Sequence, residues 1–237
     1  MRFCNRLTEP LILLAIALRV KLEDVYDWLY VMRRHDRSST FRMADQALRR
    51  QYRFRNPYCI SRRFLETKGA DDIHSYGETP IRTFETLMRQ CDLDSNDHVF
   101  ELGCGRGRLC FLLRATIGCS VSGIEAIPTF TRIAEEVRSH LQLDGISFYQ
   151  KNFLEVDFSE ATFLYLCGTC LPDAEVEALA RHLELLAPGT RILPISYPLT
   201  DFAVPGAFKV IDTFPARFPW GSTDAYLQKR TGAGDFS

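Results

Sequence analysis

The chain has 237 residues and a mass of 27.2 kDa, with 46% hydrophobic and 25% charged residues. Those proportions exclude a disordered, collagen-like or multi-span membrane chain and leave one large domain, or one domain with an extension. The net charge of −1 hides an asymmetry: residues 1–70 hold 15 Lys+Arg against 7 Asp+Glu, and residues 71–237 hold 14 against 23.

A basic head of this kind suits nucleic acid, an anionic membrane or an acidic partner, or a solvated helix with basic faces. Leu11–Leu18 (LILLAIAL) is an apolar run too short to span a bilayer, which needs about 20 residues. It follows Arg2 and Arg6, as in a short signal peptide, but Glu9 and Pro10 interrupt the approach, and the chain beyond reads as more helix. A packed or membrane-surface helix is the better reading, within a cytoplasmic protein. Pro10 can open it. Val25, Trp28, Leu29 and Met32 recur at helical spacing, and Glu23, Asp24 and Asp27 lie on the other face.

From Arg33 to Arg63 arginine dominates. Tyr52, Phe54 and Tyr58 alternate with Arg49, Arg50, Arg53 and Arg55. Such interleaving can bind nucleic acid, although an amphipathic helix with its charges outward explains it more simply. Gly69–Pro80 (GADDIHSYGETP) is a loop by composition. It puts a boundary near residue 70, with a basic helical extension over 1–70 and the main domain over 71–237.

The main domain alternates. Helices are expected over 81–91, 109–116, 129–141 and 173–186. Strands are expected over 99–102, 120–124, 146–149, 163–166 and 191–195. That order predicts a parallel sheet covered on both faces. The tail lacks a helix between its strands, 208–214 and 224–229, so they form an antiparallel hairpin with Pro215, Pro219 and Gly221 in a long turn. Eight cysteines are scattered without a CxxC pair. Cys104, Cys110, Cys119, Cys167 and Cys170 stand in apolar or Gly-rich surroundings, a pattern of reduced thiols rather than a disulfide framework. No metal-ligand spacing is present.

The segment that carries chemistry is Val99–Leu109, VFELGCGRGRL. A buried strand runs into Gly103, Gly105 and Gly107, and a helix follows. Glycines there admit a ligand against the backbone, and the helix start offers unpaired N–H groups. The nicotinamide-type GxGxxG would place a pyrophosphate on that helix. Here the spacing is GxGxG, Arg108 stands at the last glycine's place, and Glu101 precedes the turn. A carboxylate there repels a diphosphate and suits an ammonium group. Glu125 ends the next strand and can accept ribose hydroxyls. Asn152 and Phe153 follow the third strand and offer an amide and a ring to an adenine. An acid for an ammonium, glycines for close approach, an acid for a ribose and a ring for a base fit S-adenosylmethionine better than NAD.

On these residues the chain resembles motif I of class I S-adenosylmethionine-dependent methyltransferases over about residues 74–229. The fold this implies is a Rossmann-like α/β, seven-stranded, mostly parallel sheet with an antiparallel last strand. Tyr76-Gly77-Glu78-Thr79 also resembles the YGET loop of Dot1-like lysine methyltransferases, and the layout is similar to small prokaryotic and mitochondrial lysine methyltransferases. Lys151–Leu154 and Ser196–Leu199 resemble further segments of the Dot1-like family. The resemblance implies that Tyr76 and Thr79 contact the cofactor, Glu101 faces its ammonium, and Gly103, Gly105 and Gly107 form the turn beneath it. Glu125 would hold the ribose, and Asn152 and Phe153 the adenine. At Leu166-Cys167-Gly168-Thr169 the chain departs from the Dot1 family's Asn-Asn-Phe-type segment, so a protein lysine is implied without singling out a histone.

The implied reaction moves a methyl group from sulfur to nitrogen in line. The protein's part is to align the nucleophile and to desolvate a lysine so that it arrives neutral. Tyr197, Phe202, Phe214 and Trp220 are candidates for an aromatic channel wall, with core packing the alternative for Phe214 and Trp220. Glu78 is expected to order the loop rather than act as a base. RNA or a small molecule as acceptor, and a non-catalytic protein that keeps the cofactor fold, are the competing readings.

Overall fold

A computed structural model describes residues 8–36, 39–70, 72–169 and 171–232, with side chains from Leu18 onward. The elements are α1 (Thr8–Arg34), α2 (Thr40–Gln51), α3 (Pro57–Lys68), α4 (Ile81–Gln90), β1 (His98–Leu102), α5 (Arg108–Thr116), β2 (Ser120–Glu125), α6 (Pro128–His140), β3 (Ile146–Gln150), β4 (Phe163–Leu166), α7 (Asp173–Leu183), β5 (Arg191–Pro194), β6 (Phe208–Phe218) and β7 (Gly221–Arg230).

Local chemistry sets several of their ends. Ser39 caps α2 by accepting from the Arg42 amide, and Asn56 caps α3 ahead of Pro57. Gly69 ends α3 at φ 66°, the left-handed conformation that glycine adopts without a steric penalty. β1, β2, β4 and β5 are almost wholly buried, as strands covered on both faces must be.

The sheet order is β3-β2-β1-β4-β5-β7-β6. β1–β5 pair in parallel, and β7 is antiparallel to both β5 and β6. The chain order steps outward from β1 in both directions, so a crevice opens at the carboxyl ends of β1 and β4, where such sheets bind ligands. The closing hairpin differs from the expected one. β6 and β7 pair from Phe208↔Arg230 to Phe218↔Gly221, leaving only Pro219 and Trp220 as the turn. Pro215 lies inside β6, which is tolerable because β6 is the edge strand.

Two apolar clusters fill the two faces of the sheet. One holds Phe100, Leu164, Leu179, Leu183, Ile192 and Phe208, under α7. The other holds Val99, Phe111, Phe130 and Tyr165, and it also takes in Val31, Phe41, Ala44 and Leu48 from α1 and α2. The segment expected as an extension over 1–70 is not packed apart from the rest. Phe41, Ala44 and Leu48 are fully buried, so no gap in packing marks residue 70. Truncating a residue like Phe41 to alanine costs about 3–5 kcal/mol. α2 lies against α5 and α6, so the basic segment packs on the glycine-turn helix itself. Cys59, Cys91, Cys104, Cys110 and Cys119 are unpaired thiols, and Cys170 lies outside the described residues. Among the described residues no helix is long and apolar enough to cross a membrane. The start of the Leu11–Leu18 run belongs to α1, but its side chains before Leu18 lie outside the described residues.

Candidate active site

β1 delivers Glu101 and then breaks into the glycine turn. Gly103, Gly105 and Gly107 all have positive φ (73°, 52° and 75°), the region where a side chain is strained. They differ in surroundings. A Cβ on Gly103 would meet nothing within 4 Å, because that side of the turn is open to the cleft. A Cβ on Gly107 would stand 2.5 Å from the Phe148 ring. Gly107 is therefore held by packing, and of the three glycines expected beneath a ligand it is the one that does not line the cleft.

The cleft is lined by Gly77, Glu78 and Thr79 of the loop, by Glu101 through Arg106 of the strand end and turn, and by Arg108, Leu109, Tyr165 and Cys167. Of the residues expected to hold a cofactor, Thr79, Glu101, Gly103 and Gly105 line it. Thr79 shares a 2.7 Å hydrogen bond with the buried Tyr165 hydroxyl, which ties the loop to the end of β4. Tyr76 sits just behind, donating to Glu78 and lying against Phe130 at 5.2 Å. Its oxygen would be 3.3 Å from a Cβ on Gly105.

Glu101 is 4% exposed. Burial pushes its pKa up to about 8, the Cys110 thiol opposes this by donating at 3.0 Å, and Glu78 and Glu125 raise it further. Glu125 is also buried and its pKa raised by burial; its two oxygens accept the amides of Gly105 (2.9 Å) and Ile127 (2.8 Å). It thus braces the turn, and its remaining lone pairs leave acceptor capacity for a hydroxyl. The Lys151 amide donates to the Glu125 carbonyl, which brings Asn152 and Phe153 next to that strand end. Asn152 caps the short turn Phe153–Glu155 by accepting from Leu154, and Phe153 is half-buried against the α7-side cluster.

Of the four channel candidates Tyr197 and Phe202 meet and the others stand apart from them, and none lines the cleft itself. Trp220 stacks on Phe218 at 4.6 Å, and its ring would meet a Cβ on Gly77 at 3.3 Å, so it leans over the loop at the cleft's edge. The Tyr197 hydroxyl donates to the Gly168 carbonyl at 3.3 Å, one residue from the cleft-lining Cys167. Phe202 packs edge-on against Tyr197 at 5.5 Å. Phe214 is buried in the core, so for it the packing alternative holds. Ser196, just before Tyr197, has φ 79°. Such backbone strain in a non-glycine residue concentrates at functional sites.

Sequence reasoning missed the two arginines of the turn. Arg106 grips Glu78 with a two-pronged pair, 2.5 Å at each contact. Burial works against the Glu78 carboxylate, but Arg106 outweighs it and holds the pKa down at about 2. Loop and turn are thereby latched, consistent with an ordering role for Glu78. Arg108 is 7% exposed. It reaches Asp45 of α2 at 2.8 Å and Asp27 of α1 at 3.1 Å. Asp27 also accepts the Ile81 amide that starts α4. Burial works against the Asp45 carboxylate, yet Arg108 and Arg49 together lower its pKa, whereas for Asp27 burial prevails and raises it. The Nη2 of Arg108 is buried without a hydrogen-bond partner, on a residue that lines the cleft. A charged residue inside a glycine turn was the available signal; its counter-ions, 63 and 81 residues away, gave none.

Residues 93–195 match a protein-family model described as a methyltransferase domain. The chain is similar to a protein-lysine N-methyltransferase of Saccharolobus islandicus (strain REY15A), 27% identical over 58% of this chain and 85% of that protein. It is similar to a histone-lysine N-methyltransferase, H3 lysine-79 specific, of Dictyostelium discoideum, 28% identical over 50% of this chain but only 7% of that much longer protein. Among solved structures, an RNA methyltransferase from Salinibacter ruber in complex with S-adenosyl-L-homocysteine superposes with a TM-score of 0.54. It is 24% identical, over 68% of this chain and 98% of that one. Family match, strand order and glycine turn agree: residues 93–195 form a methyltransferase domain on the class I, S-adenosylmethionine-dependent fold.

Proposed function

We propose that the protein is an S-adenosylmethionine-dependent methyltransferase acting on a protein lysine. The observation that carries the cofactor assignment is the juxtaposition of buried Glu101 with the open side of the Gly103 turn. An amino-acid moiety carries an ammonium and a carboxylate. Glu101 answers the first, and the unpartnered Nη2 of Arg108 answers the second. Glu125 keeps acceptor capacity for ribose hydroxyls, and Asn152 and Phe153 stand beside it for the base. When bound, S-adenosylmethionine supplies an electrophilic methyl group whose leaving group is a neutral thioether.

The protein's residues do the rest by positioning and exclusion. Glu78, clamped by Arg106, and Thr79, tied to Tyr165, hold the loop over the cleft and keep water out. Tyr165 and Cys167 give that end of the cleft a weakly polar wall. Such a wall favours the neutral form of an entering amine, because burial disfavours its charge. The already paired Glu78 then orders the loop and need not take the proton. Two of the similar proteins are named as protein-lysine methyltransferases, which supports lysine as the acceptor. An RNA acceptor is the second reading. It is favoured by the corner at Arg53 and Phe54, where the ring is 92% exposed with the guanidinium 5.5 Å from its centre.

The test is transfer of radiolabelled methyl from S-adenosylmethionine to a fractionated lysate, followed by hydrolysis of the labelled protein. Label recovered as methyl-lysine supports the proposal. Label confined to nucleic acid or small molecules overturns it.

A further inference from the structure

The outer face of α1 is not used by the fold. Leu18, Leu22, Val25 and Leu29 succeed one another at spacings of four, three and four, and each is exposed, from 37% for Leu29 to 61% for Leu22. Trp28 and Tyr26 extend the same face on either side and are also exposed. Contiguous exposed apolar patches rimmed by polar residues mark interaction sites. The inner face is accounted for: Asp27 reaches Arg108 and Ile81, Val31 is in the core, and Tyr30 donates to Glu85.

The charges around the stripe identify what covers it. At about 100° per residue, Lys21, Arg33 and Arg19 fall within about 90° of the stripe's centre, on both of its flanks. Glu23, Asp24 and Asp27 all lie beyond about 120°, off the stripe and its flanks. Asp24 pairs with Arg49 of α2. An apolar stripe bordered by exposed cations and free of acids is the arrangement of a helix lying in the interface of an anionic bilayer. Lysine and arginine there keep their charged ends among the headgroups while their stems cover apolar surface. A coiled-coil seam with a second copy would set these cations against their own counterparts, with no acid on that face to answer them.

We propose that α1 attaches the protein to anionic membrane surfaces through Leu18, Leu22, Val25, Trp28 and Leu29, with Arg19, Lys21 and Arg33 facing the headgroups. The inference does not depend on the acceptor assigned above. The test is co-sedimentation of the full chain with vesicles of phosphatidylcholine alone and with about one-third phosphatidylglycerol, at low and high salt. The protein is expected to partition at least about tenfold more strongly onto anionic vesicles, with a loss at high salt as the Debye length shrinks.

Two surface variants separate the contributions. L22E/V25E removes apolar contact and should lose binding to both vesicle types. K21E/R33E should lose only the preference for anionic lipid. Titration with S-adenosyl-L-homocysteine and circular dichroism check that each is folded. Two outcomes overturn the proposal: equal, weak binding of the unaltered chain to both vesicle types, or a dimer in sedimentation velocity that L22E/V25E converts to monomer.

Discussion

Glu101 should make cofactor affinity depend on pH in a direction that its burial fixes. In the ligand-free protein its pKa is about 8, raised chiefly by burial. At pH 7 it is about nine-tenths protonated, and at pH 6 almost wholly so. An ammonium beside it requires the carboxylate. Ionising it first costs about 1.4 kcal/mol at pH 7 and about 2.7 at pH 6, at 1.36 kcal/mol per pKa unit. Affinity for S-adenosyl-L-homocysteine, which has the same amino-acid end, should therefore rise about tenfold per pH unit from 6 to 8 and level off above. Calorimetry at pH 7 in buffers of different ionisation enthalpy should show close to one proton released per cofactor bound. Glu101→Gln should bind weakly with no slope, since an amide neither ionises nor answers the charge.

The same residue acts on folding with the opposite sense. The folded chain keeps a proton that the unfolded chain gives up above about pH 4.3. The ligand-free protein should lose stability as pH rises from there toward 8, and Glu101→Gln should remove that loss. A flat affinity between pH 6 and 8, with no proton released, would refute the placement of an ammonium at Glu101.

The remaining expectations concern the turn and its supports. Gly103→Ala and Gly107→Ala share a left-handed backbone, which costs about 1–3 kcal/mol. Only Gly107→Ala also drives a methyl into Phe148. Thermal melts should show the larger loss for Gly107→Ala, whereas cofactor titration should show the larger loss for Gly103→Ala. Arg108→Met leaves Asp27 and Asp45 buried without their shared cation and should cost about 3–5 kcal/mol in urea unfolding. Arg132→Ala removes only a surface pair with Glu136 and should cost less than about 1 kcal/mol. Glu78→Gln unclamps the loop from Arg106. It should raise KM for S-adenosylmethionine about tenfold or more and also lower Tm, because Arg106 is left largely buried without its counter-ion; an unchanged KM would show that the latch does not govern loop closure.

What the sequence made legible followed from local pattern. Four buried strands and the more exposed β3, the helices between them and the glycine turn each leave a mark within about ten residues, because period, apolar run and positive-φ glycine are local properties. The parallel order and closing hairpin follow from that alternation, and only the hairpin's extent was misjudged, since Pro215 reads as a breaker until β6 is known to be an edge. That Glu101, Gly103 and Gly105 share one cleft was readable for the same reason: they sit in one continuous segment.

What was not legible is everything that depends on distant partners. Gly107 looks like its neighbours in the sequence, and only the Phe148 ring, 41 residues on, shows that it serves packing. Phe214 reads as a channel wall until its strand turns it into the core. The boundary at residue 70 rests on a loop composition and a charge change that are both real, and buried ion pairs cross it. Asp27 and Asp45 exist in the basic segment to neutralise Arg108 inside the glycine turn. The helices that looked like an accessory thus hold the cofactor turn in place from behind, while the outward face of α1 stays open to solvent. One helix so joins a surface to the cleft: its buried acid fixes the turn, and its exposed stripe is what an anionic bilayer would contact.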